Sequence, residues 1–299
     1  MSDRPTWTAG RTRGGRFGIP FFALLCRLGR PGLLLIPWCL AWVALWFLVA
    51  APAARRASFE LARRLGRRPL PFAWRHFYAY GRLLVERMLL LHGREDLFEL
   101  EVVGEEEIRA ALAQGKGAVL VAAHLGSWEA MGHLLQRRLG APVTVVMSDA
   151  VAPAPGGAQA ALEAGRDYRA LVTDGSPAAA AGIMAALEQG HLVGMMGDRA
   201  YAGRTVSLPF LGGRASFPVG PYAVAAAAGA PLLHVHAVRT GRRRYRFQAW
   251  PQGPLVWSGR AGREADLTRW AGAYAARLEE ALRAHPDQWG NFYPFWDPG

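Results

Sequence analysis

The chain has 299 residues, a net charge of +12, 52% hydrophobic residues and a mean hydropathy of +0.06, enough to bury a full core in one α/β domain with an N-terminal extension. All but one of the 35 basic residues are arginine, Lys116 being the exception. With no DNA- or RNA-binding motif and no Lys-rich tail, this argues against a nucleic-acid partner and for an anionic membrane surface, a phosphorylated lipid or an acidic carrier protein.

Residues 1–30 form a basic N-terminal segment, rich in Gly, Arg and Thr over its first 20 positions. From Pro31 to Ala54 no charged residue occurs, and Trp38, Trp42 and Trp46 recur at helical spacing. The stretch 31–54 therefore reads as a membrane anchor helix, spanning the bilayer or half-inserted, with Pro37 a kink or a first-turn residue. It is too long for a signal peptide. Arg27 and Arg30 precede it and Arg55 and Arg56 follow it, so the positive-inside rule gives no orientation. The remainder, 55–299, reads as one domain. Its start, 57–92, is helical and basic, suited to lie on anionic lipid. Cys26 and Cys39, both in the apolar region, make neither a disulfide framework nor a zinc site, which fits a reducing, cytoplasmic domain.

From residue 100 strands and helices alternate, which predicts an α/β fold with a largely parallel central sheet flanked by helices. A helix at 105–113 leads to a strand at 118–123, apolar without interruption as for a strand covered on both faces. That strand delivers His124 to its C-terminal end. Gly126 and Ser127 break the run, Ser127 is placed to cap the helix 128–139, and Glu129 falls in its first turn. An acid five positions after a histidine lets a carboxylate orient an imidazole, which can then take a proton from an alcohol. With 8 histidines and 23 acids, about 0.6 such pairs arise by chance; the weight comes from His124 being the one histidine with this spacing and from its strand-end position.

The next strand is 143–148. Residues 149–177, rich in Ala, Gly and Pro, form a loop with a short helix near 158–166, placed to cover a substrate groove. Helix 178–189 precedes strand 192–197, which ends in Asp198-Arg199, with Arg204 close behind. Arg199 is suited to grip a phosphate, and Asp198 to fix Arg199 or a substrate hydroxyl; a structural ion pair is the alternative. Strand 205–210 runs into a Gly- and Pro-rich loop carrying Arg214, then helix 217–228, strands 232–239 and 244–250, and helix 264–284. Neither a phosphate-binding Gly-Lys-Ser/Thr loop, nor a dinucleotide fingerprint, nor a Gly-x-Ser-x-Gly elbow is present, so no nucleotide cofactor and no serine hydrolase is expected. His234 and His236 share one strand face and read as core or surface residues rather than metal ligands.

These residues resemble a known family. His124-Leu-Gly-Ser-Trp-Glu129 is similar to the His-x4-Asp/Glu motif of the lysophospholipid acyltransferase superfamily, and most resembles the bacterial lipid A late acyltransferases. The apolar N-terminus, Asp198-Arg199, Pro209-Phe-Leu-Gly212 before a Gly220-Pro221 helix start, and His285-Pro-Asp-Gln-Trp289 resemble the same family. Ser127 stands where the family carries Asn. The tail after Trp289 is aromatic and uncharged except for Asp297, like branches outside core lipid A synthesis. The resemblance implies a glycerolipid acyltransferase-like fold on the cytoplasmic face of a bacterial inner membrane. It implies transfer of a fatty acyl group from acyl carrier protein or acyl-CoA to a hydroxyl of a membrane lipid or glycolipid. His124 is then general base and Glu129 its orienting partner, with a backbone N–H of the 125–128 turn at the oxyanion. Ser127, Asp198, Arg199, Arg204 and Arg214 form the substrate-binding set, the arginines meeting phosphate. No cofactor and no metal is implied. A non-catalytic lipid-binding protein of the same fold is the alternative.

Overall fold

The computed structural model describes residues 15–91, 93–148, 168–173, 176–199 and 203–297. The expected helix near 158–166 lies outside these residues, as do the first 14 positions. Helices α1 (Gly15–Arg27), α2 (Arg30–Ala50), α3 (Pro52–Arg64) and α4 (Pro69–Leu91) come first. The α/β part follows as β1 (Glu99–Val103), α5 (Glu105–Leu112), β2 (Ala118–Ala122), α6 (Trp128–Leu139), β3 (Val143–Ser148), β4 (Arg169–Thr173), α7 (Pro177–Glu188), β5 (Leu192–Met196), the hairpin β6 (Thr205–Phe210) and β7 (Gly213–Pro218), α8 (Gly220–Ala228), β8 (Leu232–Gly241), β9 (Arg244–Pro251) and α9 (Arg263–Ala284).

Seven strands make one sheet in the order β1-β9-β8-β2-β5-β3-β4, parallel at every junction except the antiparallel β8–β9 pair. The period-two geometry of a strand divides β2 between two cores. Val119, Val121 and Ala123 enter the cluster beneath α7, α8 and α9, whereas Ala118, Leu120 and Ala122 enter the one beneath α5 and α6. Every residue of β2 is buried, which is why its sequence is an unbroken apolar run.

Three strands depart from the sequence reading. β1 and β4 are the sheet edges, half exposed and charged, so they lack a hydrophobic signature. The segment read as a Gly- and Pro-rich loop is instead β7, paired with β6 across Leu211-Gly212, both of which have positive φ (47° and 72°), as a two-residue hairpin turn of this twist requires. The stretch expected to be helical over 57–92 is divided between two helices, α3 and α4. α3 ends in a left-handed Gly66, with Gly66 N–H donating to the Arg63 carbonyl and Arg67 N–H to that of Ala62, the paired bonds that terminate a helix at glycine.

Candidate active site

The register of two neighbouring parallel strands builds the site. Ala122 on β2 pairs with Met196 on β5, so two residues further on His124 and Asp198 leave the sheet at the same level. Gly197 makes the approach possible. A side chain there would meet Val121 at 2.5 Å and the Tyr274 ring at 2.7 Å, while its N–H donates to the Ala122 carbonyl at 2.8 Å. Asp198 is fully buried and accepts three bonds: from His124 Nδ1 (2.8 Å), from the His124 main-chain N–H (2.9 Å) and from the Trp289 indole (2.8 Å). Burial alone would raise its pKa. The charge and hydrogen bond of His124, with Arg199 and the Trp289 indole behind them, outweigh that and hold it at about 2. Asp198 is therefore ionised at neutral pH and fixes the proton of the imidazole on Nδ1, which makes Nε2 the basic nitrogen. The His124 side chain is 17% exposed, and the Trp128 ring stands edge-on to it at 5.8 Å.

The C-terminal segment closes the site from below. Leu125 forms an antiparallel bridge with Trp289, and the Gly290 N–H donates to the His124 carbonyl at 2.6 Å. Gln288 mimics a paired strand, its amide accepting from the Arg239 N–H at 2.8 Å and donating to the Arg239 carbonyl at 2.7 Å. The Trp289 carbonyl accepts from His76 Nε2 at 2.6 Å, which leaves His76 Nδ1 to accept from the Ser58 hydroxyl at 2.9 Å. This chain of bonds ties α3 and α4 to the floor of the site. Each polar residue of His285-Pro-Asp-Gln-Trp289 beyond the histidine thus has a physical task, Asp287 lying 3.6 Å from the Arg75 guanidinium.

The other expected site residues are placed as follows. Glu129 is the second residue of α6; its side chain lies outside the described residues. Ser127 occupies the N-cap position, but contrary to expectation its hydroxyl makes no capping bond; it is buried with no hydrogen-bond partner among the described residues. Its main-chain N–H donates to the Ala237 carbonyl, and that of Gly126 to Gln288, so of the turn expected to hold an oxyanion two N–H groups are already engaged. Arg199 donates to the Gly290 carbonyl, with its guanidinium 5.2 Å from the Tyr293 ring. Arg204 pairs with Glu264 at 2.7 Å and Arg214 donates to Ser207; both are exposed, and neither bonds a group of the His124–Asp198 cluster.

The sequence reading gave the orienting role to Glu129 and sent Asp198 to Arg199 or to substrate, whereas the structure sets Asp198 on His124 itself. It also missed His76 and the Trp289 indole. The one signal for Trp289 was its place in the C-terminal motif; His76 carried none.

The sequence profile of a family described as bacterial lipid A biosynthesis acyltransferase matches residues 75–297. Two phosphatidylinositol mannoside acyltransferases of Mycobacterium tuberculosis, from strains CDC 1551 and H37Rv, are 29% and 30% identical over 252 residues, covering 79% of this chain and 75% of each relative.

Proposed function

The chain belongs to the bacterial lipid A biosynthesis acyltransferase family, and from that premise we propose that it moves a fatty acyl group from a thioester, on acyl carrier protein or CoA, to a sugar hydroxyl of a glycosylated membrane phospholipid. That it is an acyltransferase of the non-aminoacyl kind follows from the family and its relatives. The acceptor class is drawn from those relatives and from the arginine-rich chain, which suits a phosphate-bearing lipid.

The observation that carries the mechanism is the His124 ring held through Nδ1 by a buried, ionised Asp198. Nε2 takes the proton of the acceptor hydroxyl as its oxygen attacks the thioester carbonyl. Collapse of the tetrahedral adduct breaks the C–S bond, and the imidazolium returns its proton to the departing thiolate. Asp198 stabilises the imidazolium formed between these steps. The thioester is already activated, so no acyl-enzyme forms. The Leu125 and Trp128 N–H groups and the Ser127 hydroxyl are the donors nearest in sequence for the oxyanion. Glu129, in the first turn of α6, adds negative charge on the same corner. Arg199, Arg204 and Arg214 are assigned to phosphate on donor or acceptor. Placement at the inner membrane with the catalytic part in the cytoplasm fits the apolar α2 and a cytoplasmic thioester donor. A carboxylate kept fully buried beneath His124 disfavours a non-catalytic lipid-binding role.

Lipid mass spectrometry of the host with and without the gene tests the proposal. A glycophospholipid one acyl chain short in the deletion, restored by the wild-type gene and not by His124→Ala, is the expected result. An unchanged lipidome under proven expression would overturn it.

A further inference from the structure

The most exposed apolar surface among the described residues lies on a helix packed along α4. α2 buries one residue in four along its length, from Gly32 through Ile36, Leu40 and Ala44 to Leu48. Ile36 and Leu40 share an apolar cluster with Val85, whereas Ala44 and Leu48 share one with Ala73 and Phe77, so α2 lies antiparallel along α4. At the crossing Gly81 admits Leu40 so closely that a Cβ there would be 3.0 Å from its methyl group. α4 is itself locked to the sheet and the tail through Glu86 to Tyr245 and through His76 to Trp289. On the opposite face of α2, Leu34, Leu35, Trp38, Trp42, Trp46 and Val49 are 51–71% exposed.

We propose that α2 lies in the plane of a single anionic leaflet, its tryptophan stripe in lipid and its other face on α4, and does not cross the bilayer. The inference deepens the membrane placement proposed above and rests on it. Three observations carry it. A crossing helix would drag α4 to the same depth, with the exposed Arg75 and its partner Asp287, and ionised groups at bilayer depth are strongly disfavoured. Tryptophan prefers the interface, yet Trp42 is at the middle of α2 and would sit at the midplane of a crossing helix. In the plane, all three tryptophans keep one depth. Finally, arginines flank α2 at both ends, and residues 4–59 contain eight arginines and no Asp or Glu. A crossing helix wants its cations on one side; an in-plane helix presents both ends to the same anionic headgroups.

The test uses the full chain with Cys26→Ser and Cys39→Ser, reconstituted with phosphatidylcholine vesicles containing phosphatidylglycerol. A nitroxide is attached at one site at a time (Leu34→Cys, Trp38→Cys, Trp42→Cys, Trp46→Cys, Val49→Cys), and depth is read from collisions with oxygen against a nickel chelate. The expected result is one common depth for all five, within about a helix radius of ~5 Å. A depth changing by ~1.5 Å per residue, ~22 Å from position 34 to 49, would overturn the in-plane geometry and leave the membrane placement standing. Labels that never meet lipid, or that are immobilised by a second protein, would overturn both. Acyl transfer by the same samples reports on the chemistry separately.

Discussion

Asp198→Asn separates the two carboxylates that compete for His124. The aspartate accepts from three donors at 2.8–2.9 Å, two of them on Oδ2 and the imidazole on Oδ1. An amide of the same shape has one acceptor oxygen. If that oxygen keeps the two fixed donors, the main-chain N–H and the indole, its NH2 group faces His124 Nδ1. The imidazole must then accept at Nδ1 and carry its proton on Nε2, the nitrogen that has to receive one from the alcohol. In hydrolase triads the equivalent change costs about 10⁴ in kcat. We expect a loss of ~10³–10⁴ here, ~4–5.5 kcal/mol of transition-state stabilisation. Because Asp198 has no exposed surface, KM for both substrates should hold within a factor of ~3, since only the transition state loses an interaction. The assay is thiol release from an acyl thioester in the presence of acceptor glycolipid, with circular dichroism to verify folding. Turnover within ~10-fold of wild type would refute the tautomer argument. A thousandfold loss in Glu129→Gln beside a healthy Asp198→Asn would hand the orienting role to Glu129.

Trp289→Phe keeps a ring among Phe210 and Phe295 but withdraws one donor from Asp198; we expect ~1.5–3 kcal/mol lost in urea unfolding, the range for a bond to a charged group, with a fall in kcat, and an unchanged kcat would contradict the coupling. Gly126→Ala should prevent soluble expression or cost more than ~3 kcal/mol, because φ is +66° and the new methyl would lie 1.8 Å from the Ala237 carbonyl oxygen; a wild-type Tm would count against this backbone. Acid should unfold the protein in two stages. Burial pushes the imidazoles of His76, His234 and His236 down to about 4, 3 and 4, so between those values and 6.5 the unfolded chain binds more protons than the folded one. Their stabilisation is complete above pH 6.5 and fades as pH falls toward 4, by up to ~2 kcal/mol per histidine between pH 7.5 and 5. Asp198, depressed to about 2, holds its contribution until pH drops below 4. A urea midpoint unchanged between pH 7.5 and 5 would show that these rings take up protons in the fold.

Much of this was legible because burial writes itself into sequence. β2 is covered on both faces, so it reads as an apolar run, and its end marked His124 at once. The amphipathic helices α5, α6 and α9 were visible for the same reason. The bond between His124 and Asp198 was not. Asp198 is 74 residues away, and only the β2–β5 register brings the two together; nothing local in either segment encodes a register between parallel strands. The five-residue spacing to Glu129, by contrast, is a local signal. Edge strands β1 and β4 escaped because a half-exposed strand tolerates charge, and β7 because its flanking glycines and prolines serve a hairpin as well as a loop. The arginines illustrate a different limit. Arg204 precedes β6 and Arg214 lies in β7, yet their bonds go to Glu264 and Ser207, since position in the sequence does not fix where a long side chain settles.

His76 waits for its hydrogen-bond partner across 213 residues of chain. At ribosomal rates of ~5–20 residues per second, that delay is roughly 10–40 s. During it α2 has already emerged with its tryptophan stripe, while the strand-like bridge under Leu125 and the indole donor to Asp198 are still unmade. On the in-plane placement proposed for α2, the nascent chain has its lipid-facing stripe before the floor beneath His124 is made. The segment Gln288–Gly290 has to leave the ribosome before it can tuck beneath His124. A stop codon between α4 and Trp289 would leave a product that keeps the tryptophan stripe of α2 and lacks the indole donor to Asp198.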